Sequence, residues 1–128
     1  MTRATAVIGK VDFATTITVN GRTLQADEPA DNGGGDTGFA PYDLLLSALG
    51  ACTAITLRMY AEHKGWDVRG VQVDLHFYRV EKVEKIDRAV IVIGDLSAEQ
   101  RTRLAEICER TPVTLTLKSG LEIATTLA

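Results

Sequence analysis

The stretch from Pro41 to Lys64 constrains this chain more than any other, because it reads as one long helix with its own start and stop signals. Pro41 suits a first helical position, where a missing N–H leaves nothing unpaired, and Asp43 places a negative charge at the positive end of the helix dipole. Gly65 can adopt the left-handed conformation that closes a helix. Such a helix is about 36 Å long, close to the diameter expected of a globule of this size. Its first half, Leu44 to Leu57, is apolar nearly all round and predicts a buried helix, whereas Arg58, Glu62, His63 and Lys64 mark an exposed second half. Gly50-Ala51 allows close approach of another backbone, so we expect burial against a second copy, that is, a homodimer.

Strands flank this helix. Thr15 to Val19 is β-branched, Asn20-Gly21 is a tight-turn signal, and Arg22 to Ala26 resumes, so residues 2–26 predict two or three antiparallel strands. Asp27 to Ala40 is rich in glycine and acid and predicts a flexible or substrate-covering loop; its four acidic residues would repel a phosphate. Val71, Val73, Leu75 and Phe77 alternate with polar residues as a half-buried strand. Arg79 to Asp87 then reads as a hairpin region, and Ala89 to Ile93 as a more deeply buried strand. Ser97 and Gln100 form a capping box for a second helix that ends near Cys108. Val113 to Lys118 predicts a short helical turn, and Leu121, Ile123, Thr125 and Leu127 alternate as a final strand. The order describes one α+β domain over residues 1–128.

A net charge of -3 offers no basic footprint for nucleic acid. Residues 1–10 lack the order of a secretory signal, and the apolar run from Leu44 to Leu57 is shorter than the roughly 20 residues that cross a bilayer. We therefore expect a soluble cytoplasmic protein with neither nucleic-acid nor membrane partners. In that compartment a disulfide between Cys52 and Cys108, the only 2 cysteines, would be transient and catalytic. The alternative is that both are inert core residues, since free cysteine is among the most buried residue types. Sequence spacing alone does not bring the two together.

The segment Gly38-Phe-Ala-Pro-Tyr-Asp-Leu-Leu-Leu-Ser-Ala-Leu-Gly-Ala-Cys52-Thr, taken with Cys108-Glu-Arg-Thr-Pro-Val113 and the strand pair between them, resembles the OsmC/Ohr family of thiol-dependent hydroperoxide reductases. The resemblance implies an OsmC-like fold: N-terminal antiparallel strands, a long buried central helix, a strand hairpin, a second helix and a final strand, in an intertwined homodimer. It further implies that Cys52 attacks an organic hydroperoxide, that Cys108 resolves the resulting sulfenic acid as a disulfide, and that a dithiol of the lipoyl type reduces that disulfide. Neither a metal nor an organic cofactor is implied. An apolar pocket including Leu45, Leu49 and Ile55 would favour alkyl or aromatic hydroperoxides.

In that family a glutamate ten residues before the first cysteine holds an activating arginine; here the position is Tyr42, and the acid is Asp43. Nine residues of helix put Asp43 about 180° around from Cys52, so it reads as a helix-start charge. The dipole of the long helix fades before reaching Cys52, which asks for a cation, with Arg3 and Arg22 the N-terminal candidates and Arg58 facing away toward water. Thr56, one turn past Cys52, either donates to its thiolate or, the reading we favour, returns its hydroxyl to the i-4 carbonyl. Tyr42 and Phe39 read as pocket walls or as a hydrophobic staple. His63 and His76 lack metal-ligand spacing. Besides a peroxidase, the sequence admits a non-catalytic dimer binding an apolar small molecule, or a thiol redox sensor.

Overall fold

A two-residue turn sets the register of the first sheet. Asn20 and Gly21 both take positive φ, 50° and 76°, which matches the twist of antiparallel neighbours. The turn joins β2 (Thr15–Val19) to β3 (Arg22–Ala26), with Val19 opposite Arg22, and β1 (Thr5–Ile8) pairs on the other edge of β2. The computed structural model describes all residues from Met1 to Ala128. It divides the chain into two compact units, residues 1–45 and 46–128, each described separately. Together the elements make an α+β fold of three α-helices and two small sheets.

The segment after β3 is organised rather than loose. Asp27 is only 3% exposed, and its carboxylate accepts from the Glu28 N–H (2.8 Å), the Thr37 N–H (3.2 Å) and the Thr37 hydroxyl (2.6 Å). One acid thus gathers both ends of the glycine-rich segment, which also contains a 3-10 turn at Ala30–Asn32. Phe39 bonds on both sides of Ala26, receiving the Asp27 N–H and donating to the Gln25 carbonyl. The expected flexible loop is therefore a clasp, because local polar groups find a shared buried acceptor.

In the second unit, α1 (Pro41–Lys64, whose first residues belong to the first unit) packs one stripe into the core: Leu49, Thr53, Leu57 and Ala61. The spacing of four keeps these residues on one face. Within the single chain this stripe holds the buried residues of α1, and Ile55 is 58% exposed, apolar surface of the kind expected to meet a second copy. An 18-residue window of α1 is apolar enough to cross a membrane, with a mean hydropathy of 1.5; Leu49, Thr53, Leu57 and Ala61 are the α1 residues buried in this unit.

β4 (Gly70–Val80) and β5 (Val83–Ile93) form an antiparallel hairpin around Glu81 and Lys82, both at positive φ. β5 thus begins well before Ala89, and the charged segment from Arg79 to Asp87 is a hairpin region as read, holding the end of β4, the turn and the start of β5. Nor is β5 buried on both faces: Ile91 and Ile93 are 50% and 54% exposed. Gly50 does provide close approach, but to β4 of the same chain, since a Cβ there would lie 2.9 Å from Leu75 Cδ1. The capping box forms as read from the sequence and starts α2 (Ala98–Cys108), which packs Leu104 and Cys108 against Leu57, Ala61 and Val68. After α3 (Pro112–Ser119) the chain forms no strand, and Leu121, Ile123 and Leu127 are 69%, 86% and 99% exposed. Alternation favours a strand, but residues 120–128 pair with no edge of either sheet.

Two outcomes test these points. A Cβ on Gly94 would fall 1.8 Å from the Asp67 carbonyl oxygen, so Gly94→Ala should lower stability by about 2–3 kcal/mol, read as a drop in Tm. The Thr37 hydroxyl, acting against burial and helped by backbone N–H groups, holds the Asp27 carboxyl below its ordinary value of 3.8. Its contribution is complete above that value and disappears as pH falls through the lower native one. Asp27→Asn should accordingly speed amide hydrogen exchange at Glu28 and Thr37 roughly tenfold at neutral pH, whereas the parent loosens there only in acid.

Candidate active site

Cys52 is half-buried on α1, one residue before the core position Thr53. Its Sγ accepts the N–H of Val113 at 3.5 Å, and Val113 is the second residue of α3. Sequence reasoning measured only the distance from Cys52 to the start of its own helix, but the fold brings it the start of another. The N–H groups of a helix's first turn have no partner within the helix and are free to meet such an acceptor. Thr56 Oγ1 lies 3.9 Å from the same sulfur. The hydroxyl that returns to an i-4 carbonyl is instead that of Thr53, which donates to Leu49 O at 2.7 Å.

The cation beside this region is Arg88, which sequence reasoning missed. Its side chain is 11% exposed. Nη1 donates to the hydroxyls of Thr53 (2.9 Å) and Thr114 (2.8 Å), and Nη2 to the carbonyl of Cys108 (2.8 Å) and the carboxylate of Glu109 (3.3 Å). Glu109 also pairs with Lys118 at 2.7 Å; the lysine first, and Arg88 with it, hold its carboxyl below the ordinary range. A signal for Arg88 was present: Ile86, Arg88, Val90 and Val92 share one period-two frame, so a charge sits among core-facing positions. A charge in that frame calls for partners across the core.

Cys108, the last residue of α2, is 8% exposed and belongs to the apolar cluster with Leu57, Ala61, Val68 and Leu104. Burial pushes its thiol up, and the Arg88 guanidinium offsets part of that effect. Cys52 lies outside the cluster. Both cysteines connect to Arg88, Cys108 through its own carbonyl and Cys52 through its neighbour Thr53.

The expected pocket is divided. Leu49 lines a cleft of about 550 Å³ with Phe77, Ile86, Arg88 and Leu117, whereas Ile55 lines a different one of about 320 Å³ with Met59 and Arg58. Six helical residues separate Leu49 from Ile55, which turns them to different faces. A further cleft of about 430 Å³ carries Leu57, Val90, Leu104 and Cys108, and Arg88 and Glu109 line both it and the largest. Arg58 bonds to the Val68 carbonyl and Glu62. The remaining candidates belong to the first unit: Asp43 accepts the Ala40 N–H at 3.0 Å as a helix-start acid, Tyr42 and Phe39 are 48% and 59% exposed, and Arg22 is exposed at the start of β3. No three His, Cys, Asp or Glu side chains converge as a metal site.

The chain is thus an α+β protein in which a half-buried thiol accepts an N–H from the start of another helix. Residues 33–126 match the family described as OsmC-like protein, and the chain belongs to that family. Solved structures agree in fold. An OsmC-like protein from Mycoplasma pneumoniae superposes with a TM-score of 0.79 at 20% identity, covering 92% of this chain and 87% of that one. An osmotic stress induced and detoxification response protein from Psychrobacter arcticus gives 0.77 at 19% identity, with 91% and 88% covered. An organic hydroperoxide resistance protein OsmC from Legionella pneumophila gives 0.67 at 19% identity, with 92% and 89% covered. No curated protein sequence matches this chain.

The two cysteines should differ in accessibility. Native protein treated with iodoacetamide at pH 8 should be labelled at Cys52 well before Cys108, and Cys108 should reach the same rate only after denaturation. Peptide mass mapping over time reads both.

Proposed function

We propose that the protein is a thiol-dependent peroxidase that reduces organic hydroperoxides. The observation that supports this reading most directly is the Val113 N–H on Cys52 Sγ, a donor from a helix start aimed at the atom that would carry negative charge. In the proposed cycle, the Cys52 thiolate attacks the distal peroxide oxygen. The S–O bond forms, the O–O bond breaks, and the alkoxide takes a proton and leaves as alcohol. Cys108 then condenses with the Cys52 sulfenic acid, releasing water and forming a disulfide. A dithiol of the lipoyl type accepts the oxidation by exchange and restores both thiols.

The division of labour follows from the surroundings. Cys108 is kept protonated by burial, so it suits the second step rather than the first. As the terminal residue of α2 it can leave its cluster by unwinding a single turn. Leu49, Phe77, Ile86 and Leu117 form an apolar patch, suited to an alkyl or aromatic tail, in a cleft of about 550 Å³ that Glu84, Lys85, Arg88, Glu109 and Lys118 also line. Homodimerisation is part of the proposal, because Ile55, Met59 and the alternating tail from Leu121 to Leu127 leave apolar surface for a second copy. We place the protein in the cytoplasm, where such a disulfide stays transient.

The same apolar patch supports a second reading, a binding protein for an apolar small molecule whose cysteines serve packing. Adding one equivalent of cumene hydroperoxide to reduced protein distinguishes the two. The peroxidase loses both thiols rapidly; Cys52→Ser keeps its remaining thiol, and Cys108→Ser accumulates a sulfenic acid that dimedone traps. Persistence of both thiols for hours sinks the peroxidase reading in favour of the binder.

A further inference from the structure

We infer that Arg88 is the positioning residue of the Cys52 site: it holds the start of α3 against α1 so that the Val113 N–H meets the sulfur. The inference deepens the reading of Cys52 as a reactive thiol and rests on it. Arg88 does not touch Cys52 Sγ in the hydrogen-bond network; it bonds to the residue after Cys52, Thr53, and to the residue after Val113, Thr114. One rigid fork thus fixes the two elements whose neighbouring atoms make the thiol contact.

The polar accounting supports this. The Thr53 hydroxyl gives its proton to Leu49 O, which leaves its oxygen to accept from Arg88 Nη1. Nη2 reaches the carbonyl of Cys108 at the end of α2, so a single guanidinium from β5 ties together α1, α2 and α3. The ammonium of lysine lacks the planar fork required to hold these acceptors at once. Arg88 thereby acts on the thiol through the placement of a backbone donor.

The test reads thiol reactivity without peroxide. In a Cys108→Ser background, where Cys52 is the only thiol, the rate of iodoacetamide alkylation is followed against pH for the parent, Arg88→Lys, Thr114→Val and Thr53→Val, with circular dichroism to show that each is folded. Arg88→Lys should alkylate roughly tenfold more slowly at neutral pH, with its profile moved to higher pH and its limiting rate unchanged. Thr114→Val, which keeps the guanidinium and removes one of its ties along with the Thr114 bonds to the Thr111 hydroxyl and the Cys108 carbonyl, should move the profile in the same direction. Thr53→Val, which removes the other hydroxyl tie and leaves those bonds in place, should do so too and carries the test if Arg88→Lys does not fold. A folded Arg88→Lys, or Thr53→Val in its place, with the parent profile overturns the inference. A shifted profile in a protein that fails to consume cumene hydroperoxide would sink the peroxidase reading and leave the role of Arg88 standing.

Discussion

The second unit is arranged around the need to satisfy one buried charge. A guanidinium on the core face of β5 would be strongly destabilising if its donors met only apolar neighbours. The chain meets that need with two threonine hydroxyls, a carbonyl at the end of α2 and a carboxylate that Lys118 also holds. The partners come from α1, the end of α2 and α3, so satisfying Arg88 fixes where those three segments lie. Apolar packing of Leu57, Ala61, Val68 and Leu104 supplies driving force, but packing alone tolerates small slips that a forked hydrogen-bond donor does not. The position of the α3 start, and with it the contact to Cys52, follows from this polar constraint.

What could be read from the sequence was what depended on near neighbours. The ends of α1, the Asn20-Gly21 turn and the Ser97 capping box are each made by residues within a few positions of one another, and all formed as expected. Long-range relations were hidden. The Asp27 clasp joins residues ten apart across a glycine-rich segment, which composition alone describes as a loop. Arg88 was obscured because it follows directly on the charged hairpin region from Arg79 to Asp87, although the period-two frame continues from Ile86 into Val90 and Val92.

The candidate site was half legible for the same reason. Cys52 and Cys108 stood out as residue types, and the family resemblance assigned them roles. The environment of each depends on elements far away in sequence: Val113 for the first, and Leu57, Ala61 and Val68 for the second. Reasoning along a single helix axis counted the dipole of α1 and had no access to that of α3. Thr53, for which the sequence suggested no role, makes the i-4 bond favoured for Thr56, because the core stripe rather than proximity to the cysteine decides which hydroxyl must be satisfied internally.

Burial of Cys108 also bears on how the molecule ages under oxidants. A thiol enclosed by Leu57, Leu104 and Val68 is shielded while the unit stays closed, so adventitious oxidation must wait for an opening. Should the sulfur then be carried past the sulfenic stage, its acid group would be ionised, and an ionised group has no place in that cluster. The segment could not close again over it. Overoxidation would thus convert chemical damage into loss of fold, marking the spent molecule for proteolysis.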